Sequence, residues 1–206
     1  DLSIVNNARQ SFGQESVELG PKEEGLINFL MRNRHGTPFE AVVFQYHIKC
    51  PIFVAREWMR HRIGSFNELS ARYTEMPNEF YVPESHDVRT QTGKPGSYKF
   101  QMVNNGAEVW FRSELDAQSK IAYLKYLAAL KAGIAKEQAR FFLPVNWYTM
   151  FSWTVNFRAL MNFISLRSAE TAMWEIRQYS LGIEHMLKDD LPIAYRAFVA
   201  NGKVAP

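Results

Sequence analysis

Between Pro21 and Gly36 the apolar residues Leu26, Ile27, Leu30 and Met31 recur three and four apart, which predicts a helix opened by Pro21. The more polar stretch from Asn6 to Phe12 predicts a short helix before it. Thr37-Pro38 then turns the chain into Phe39–Lys49, where Val42, Val43, Phe44, Tyr46 and Ile48 are dense enough to predict a strand. Pro51 starts another helix, with Ile52, Ala55 and Met59 on one face and Arg56 and Arg60 on an adjoining one. Phe80–Val82 reads as a brief strand. Pro83–Ser97, with Pro83, Gly93, Pro95 and Gly96 and no periodicity, reads as a loop or lid. A long helical rhythm follows through Val103, Ala107, Trp110, Phe111, Leu115, Ile121, Leu124 and Leu127 to Gly133. After it come a short helix ending at Pro144, a strand-like run Trp147–Val155, and helices near 157–166, 170–187 and 190–199. With no internal repeat and no linker, the pattern predicts a helix-rich α+β fold, a single domain over 1–206, with a flexible loop over 84–100.

Composition narrows the class. Hydrophobic residues make up 47% and charged residues 22%, ordinary for a globular chain, so disorder and fibrous classes are excluded. No stretch of 18 apolar residues exists to span a membrane. The single cysteine, Cys50, rules out an internal disulfide framework and any cysteine-pair metal site, and fits a reducing, cytoplasmic compartment. Asp1 opens within what reads as a structured segment, and no charged region followed by an apolar one marks a secretory signal. The net charge of +3 is too small to argue for nucleic acid. Its make-up is more telling: 14 of the 24 basic residues are Arg, whose planar fork binds carboxylate and phosphate through paired hydrogen bonds. The 14% aromatic content suits either stacking on a flat ligand or a large core.

The run Arg60-His61-Arg62-Ile63-Gly64-Ser65-Phe66-Asn67-Glu68-Leu69-Ser70-Ala71-Arg72-Tyr73 has two readings. Cations at a helix C-terminus are stabilised by the macrodipole, worth about 0.3–1 kcal/mol each, so Arg60, His61 and Arg62 have a structural role open to them. Against a purely solvated stretch, Ile63, Phe66, Leu69 and Tyr73 interleave with the charges, and Ser65, Asn67, Glu68 and Ser70 supply donors and acceptors. An Arg-rich wall with such neighbours suits a phosphate carrying a base. Arg167 raises the same question. It lies seven residues after Leu160 and four after Phe163, on the apolar stripe of its helix, where a guanidinium is either a buried ion pair or a site group.

Seven positions in thirteen (Arg60, His61, Arg62, Ser65, Asn67, Ser70, Arg72) match the RHRxxSxNxxSxR pattern, and the chain resembles the flavin-dependent thymidylate synthases, the ThyX family. His35-Gly36-Thr37-Pro38-Phe39-Glu40 resembles that family's H-x-T-P-F-E entry to a strand. Asn156 to Arg167 resembles its second nucleotide-contacting helix, and Trp174-Glu175-Ile176-Arg177 its helical tail. The likeness spans the chain apart from the 84–103 region. It implies a ThyX-like fold with a mixed, largely antiparallel sheet and a further strand upstream of Asp1. It also implies a homotetramer with sites at subunit interfaces.

The implied reaction is reductive methylation of dUMP to dTMP, with 5,10-methylenetetrahydrofolate as carbon donor and FAD reduced by NADPH as hydride source. Uracil C5 is a poor nucleophile, and Cys50, beside Pro51 with no adjacent base, reads as a small buried hydrophobe rather than an attacking thiol. Activation is then electrostatic, by a cation at the pyrimidine N3/O2 edge. The resemblance assigns that role to Arg167. It places dUMP on Glu57, Arg60, Glu68, Leu69, Ser70, Ala71, Arg72, Arg140 and Arg167, with Ser70 and Arg72 on the phosphate. It places FAD on Thr37, Arg60, His61, Arg62, Glu68, Asn156, Phe157, Arg158 and Asn162, several from a neighbouring subunit. Glu57 stands where some members carry Gln, and Ala71 where some carry Gly, whose missing methyl allows a closer backbone approach. His35, His47 and His61 lack metal-ligand spacing, so no metal is expected. An RNA-binding module would need a broad positive face, whereas 21 acidic residues nearly balance the bases.

Overall fold

The computed structural model describes residues 1–206. In chain order the elements are helices α1 (Leu2–Arg9), α2 (Pro21–Arg32) and α3 (Thr37–Glu40), strand β1 (Val43–Pro51), helix α4 (Ile52–Trp58) and strand β2 (Ser65–Glu68). Strands β3 (Arg89–Thr92) and β4 (Lys99–Met102) precede helices α5 (Ala107–Lys131) and α6 (Lys136–Ala139). Strand β5 (Tyr148–Asn156) leads to helices α7 (Phe157–Arg167), α8 (Trp174–Asp190) and α9 (Pro192–Ala200). The strands form a three-stranded sheet of order β1-β5-β2 and a separate two-stranded sheet of β3 and β4. The fold is α+β, as the apolar periodicities predict.

The chain forms two compact units. The first comprises residues 1–46, 58–66 and 152–206. Here α7 packs against α3 and α8, and α9 against α2 and α8. Its core is aromatic: Trp58 stacks on Phe163 at 4.7 Å between centroids and meets Trp153 edge-on at 5.4 Å, and all three are fully buried. Burying each such side chain contributes roughly 1.5–3 kcal/mol, so truncating Phe163 to Ala would cost about 3–5 kcal/mol. The Asp1 carboxylate accepts hydrogen bonds from the backbone N–H groups of Ile193 and Ala194, satisfying donors at the start of α9 that Pro192 leaves exposed.

The second unit comprises residues 47–57 and 67–151. Its core gathers Ala71, Met76, Tyr126, Ala139 and Trp147. The Tyr126 hydroxyl accepts from the Met76 backbone N–H at 2.9 Å, and Trp147 Nε1 donates to the Pro77 carbonyl at 3.0 Å. Cys50 is fully buried, as expected of a small apolar residue.

Several local expectations are corrected. The first helix starts at Leu2 rather than Asn6, and 10–12 form a 3-10 turn closed by Gly13 at φ +62°. Thr37–Glu40 is a helical turn, not the beginning of a strand, because Pro38 favours the first helical turn and β1 begins only at Val43. Phe80 makes one isolated bridge to Trp147 in place of a strand. Within Pro83–Ser97, 85–87 form a 3-10 turn, and Arg89–Thr92 pairs antiparallel with Lys99–Met102, register Arg89 opposite Met102. The alternation there is invisible because every β4 residue is exposed, so no apolar face marks the strand. Val103 continues that hairpin through its N–H to the Val88 carbonyl, so α5 begins at Ala107.

Candidate functional site

In the first unit a cavity of about 480 Å³ is lined by Arg60, His61, Arg62, Asn156, Arg158, Asn162 and Arg167, together with Glu40 and five further residues. Helix α4 ends at Trp58, and the carbonyl of Trp58 is satisfied by the backbone N–H of His61 at 3.0 Å. The side chains of Arg60 and Arg62 line the cavity, where two more guanidinium groups from α7 join them. Four arginines line one space, with Glu40 the one acidic residue among them, which suits an anion.

Helix α7 sets three of these groups. Asn156 ends β5 and caps α7, its Oδ1 accepting from the Ala159 N–H at 2.9 Å. Arg158 and Asn162, one turn apart, share the cavity-lining face. Arg158 is fixed: Nε donates to the Pro206 carbonyl and Nη1 to Glu40 Oε1, both at 2.7 Å. Gly36 packs directly against it, for a Cβ there would lie 2.4 Å from Arg158 Nε. Arg167 is the last residue of α7, where its charge is favoured by the helix dipole. It nevertheless lines the cavity, and its Nε donates to Nε2 of His61 at 2.9 Å. Arg167 therefore both ends the helix and lines the cavity.

His61 is half-buried, its ring set edge-on to Phe163 at 4.9 Å. Burial, reinforced by the Arg167 charge, lowers its pKa from the ordinary 6.5 to about 4. The imidazole is thus neutral at pH 7, able to accept at Nε2.

A second cavity of about 290 Å³ lies in the other unit, lined by Ile52, Glu68, Leu69, Ser70, Ala71, Arg140, Leu143 and Trp147. Glu68 Oε1 accepts from the hydroxyl of fully buried Thr149 at 2.6 Å, which orients the carboxylate. Arg72 lies outside this cavity, its Nε paired with Glu137 Oε2 at 3.1 Å, and Arg140 Nε donates to the Glu137 carbonyl at 3.2 Å. The Ala71 methyl is buried in the core of this unit and its backbone φ is not positive, so the position needs no glycine. Cys50 offers no nucleophile: burial, with the nearby Glu68 charge, pushes its thiol up to about 12.

The sequence-derived set thus falls into two clusters. Most residues assigned to FAD line the first cavity, and Glu68, Leu69, Ser70, Ala71 and Arg140 line the second. Glu57, half-buried on α4, lines neither, and Thr37 is exposed on α3. Phe157 is fully buried, its ring against Phe39 and Phe44. Glu40, Glu137 and Thr149 escaped the sequence reading. Glu40 sits within the H-x-T-P-F-E likeness and was within reach, whereas nothing in spacing marks Glu137 or Thr149. No group of three or more His, Cys, Asp or Glu side chains is arranged to hold a metal ion, and no helix is long and apolar enough to cross a membrane.

Comparison with known proteins matches this architecture. The family described as "Thymidylate synthase complementing protein" matches residues 1–193. A flavin-dependent thymidylate synthase of Thermosipho africanus is 42% identical over 199 residues, covering 97% of this chain and 86% of that one. A Thermus thermophilus protein of the same name is 41% identical over 198 residues, covering 96% and 71%. A solved structure of the UMP/dUMP methylase PolB from Streptomyces cacaoi, bound with 5-Br UMP, superposes with a TM-score of 0.90 at 37% identity, covering 100% of this chain and 91% of that one. The arginine-lined cavity, the RHRxxSxNxxSxR run and these full-length likenesses lead to one conclusion: the chain belongs to the family of flavin-dependent thymidylate synthases.

Proposed function

We propose that the protein converts dUMP to dTMP, taking the one-carbon unit from 5,10-methylenetetrahydrofolate and the hydride from FAD reduced by NADPH. The observation that carries this reading is the convergence of Arg60, Arg62, Arg158 and Arg167 on one cavity. The donor set fits a phosphate-bearing flavin: Arg60, Arg62 and Arg158 offer charged donors to its phosphates, and Asn162 a neutral amide. FAD, when bound, supplies the hydride. What the chain supplies is charge and orientation. Arg167, a planar cation, sits at the N3/O2 edge of uracil, favours its enolate-like form and raises electron density at C5. In the cavity of the other unit, Ser70 and Arg140 offer donors to a phosphate, joined by Arg72 when it exchanges Glu137 for that anion. No thiol attack is involved, since Cys50 is buried and held as the neutral thiol.

The enzyme acts as a homotetramer whose sites draw on more than one subunit. Supporting this, α5 exposes Val109, Trp110 and Leu124, with Trp110 at 66%. A cytoplasmic setting fits the one buried thiol.

The test is reconstitution. Purified protein should take up FAD with flavin absorbance, and with dUMP, methylenetetrahydrofolate and NADPH should release dTMP. A protein that ignores FAD and instead binds oligonucleotides would sink the proposal. Running UMP beside dUMP defines sugar preference, a comparison suggested by the relative described as a UMP/dUMP methylase. Light scattering reads the oligomer, and a monomer at working concentration would remove the shared-site part.

A further inference from the structure

The contact between His61 and Arg167 joins residues 106 positions apart and is unlike the others in the cavity. Arg158 is held by oxygens, whereas Arg167 Nε donates to a ring nitrogen. We propose that His61 is a positioning residue for the methylation reaction, setting the plane of the Arg167 guanidinium by accepting its Nε–H.

The geometry gives the reason. A guanidinium is flat and its C–N bonds resist rotation, so one bond to Nε–H fixes the directions of the four terminal N–H groups as well. A cation with settled directions meets a planar pyrimidine edge with both terminal nitrogens, whereas a freely turning one must be ordered at each encounter. His61 is itself held at two points, and the ring it rests on is held in turn. Its backbone N–H donates to the Trp58 carbonyl at 3.0 Å, its ring edge meets Phe163 at 4.9 Å, and Phe163 is stacked on Trp58 at 4.7 Å. Trp58 and Phe163 are fully buried, so the acceptor stands on rigid packing.

Accepting at Nε2 fixes the tautomer: the ring proton of the neutral imidazole resides on Nδ1. The other charged groups of the cavity are Arg60, Arg62 and Arg158, with Glu40 already bonded to Arg158. This inference rests on the proposed role of Arg167 in activating dUMP.

The experiment compares His61→Ala, His61→Gln and Arg167→Ala as purified, FAD-loaded enzymes. FAD affinity is read by flavin fluorescence, and kcat and KM for dUMP at saturating FAD. We expect His61→Ala to lower kcat by about 10- to 100-fold, the range for losing one hydrogen bond to a charged group, with KM for dUMP within about threefold. His61→Gln, which retains a neutral acceptor, should recover most of that loss. In wild-type protein labelled with 15N-histidine, the resonances that vanish in His61→Gln should show the proton on Nδ1. Wild-type kcat in His61→Ala, no recovery in His61→Gln, or a proton on Nε2 would each overturn the inference. Full turnover in Arg167→Ala would instead remove the reading beneath it, which keeps the two failures distinct. Equal loss of FAD binding in both His61 variants would make His61 a flavin ligand only, and would also overturn it.

Discussion

Gly36→Ala tests the support of Arg158 directly. Gly36 has φ −72° and ψ −33°, a right-handed helical conformation open to any residue, so its glycine is required by space and not by backbone. Alanine would lower the entropy of the unfolded chain and stabilise by about 0.4–1 kcal/mol if nothing else changed. The new Cβ, however, would sit 2.4 Å from Arg158 Nε, 2.8 Å from Cζ and 2.9 Å from Cδ. Arg158 must move, and its bonds to Glu40 and Pro206 must give way with it. The side chains of Arg158 and Glu40 are 49% and 40% exposed, so the ion pair itself is worth roughly 0.2–1 kcal/mol. Overpacking adds about 1–3 kcal/mol. The losses outweigh the gain, leaving a net loss of about 0.2–3.6 kcal/mol and a Tm lower by no more than about 14 °C. Flavin affinity should fall much further, by about 10- to 100-fold, because a displaced guanidinium no longer meets the phosphates. Thermal denaturation and FAD titration on Gly36→Ala, Arg158→Ala and the double variant separate the two effects. In the Arg158→Ala background the added methyl should be neutral or stabilising, with no further loss of FAD. Unchanged flavin affinity in Gly36→Ala, or an equal additional loss in the double variant, would refute the reasoning.

Glu137→Gln should release Arg72 and lower KM for dUMP by up to about fivefold at low salt, from a pair worth roughly 0.2–1 kcal/mol; a raised KM would show that Glu137 helps the nucleotide. Cys50→Ala should retain activity, and the native thiol should resist alkylation at pH 8 because burial holds it protonated; loss of turnover in a folded Cys50→Ala protein would revive thiol chemistry. His61 binds its proton more weakly folded than unfolded, so its contribution to stability is complete above pH 6.5 and is lost as pH falls towards 4, at most ~3 kcal/mol. Urea titrations of His61→Gln should therefore show a shallower decline over that window, and an identical slope would contradict it. Tyr126→Phe should destabilise by about 1–3 kcal/mol, since the buried Met76 N–H loses its acceptor; a change under about 0.5 kcal/mol by urea titration would contradict that.

What the sequence made legible follows from how each element is stabilised. Helix α7 was readable almost to the residue because Leu160, Phe163 and Ile164 bury one face and Asn156 caps it. Strand β5 was readable because alternate residues, Thr149, Phe151, Trp153 and Val155, are buried. The β3–β4 hairpin buries no face, and strand β2 is only four residues long, so neither left a periodic trace. The same logic divides the site. Arg60, Arg62 and Arg167 stood out as charges among apolar neighbours, whereas Arg158 and Asn162 came from the family resemblance, their spacing giving a common face. Partners supplied by distant chain, such as Thr149 beside Glu68 or Glu137 beside Arg72, carry no local signature, since a pairing across 81 or 65 residues exists only after folding.

Asn156 both finishes β5 and begins α7, so strand and helix abut without a single connecting residue. A dye, tag or permuted terminus introduced there would unseat the cap and swing the helix that carries Arg158, Asn162 and Arg167. The turn between Thr92 and Lys99 is the opposite case, exposed throughout, although Gly96 itself, at φ +84°, has to stay glycine. Reporter groups for following ligand uptake therefore belong on the hairpin tip, and the strand–helix junction is where engineering of this chain should be avoided.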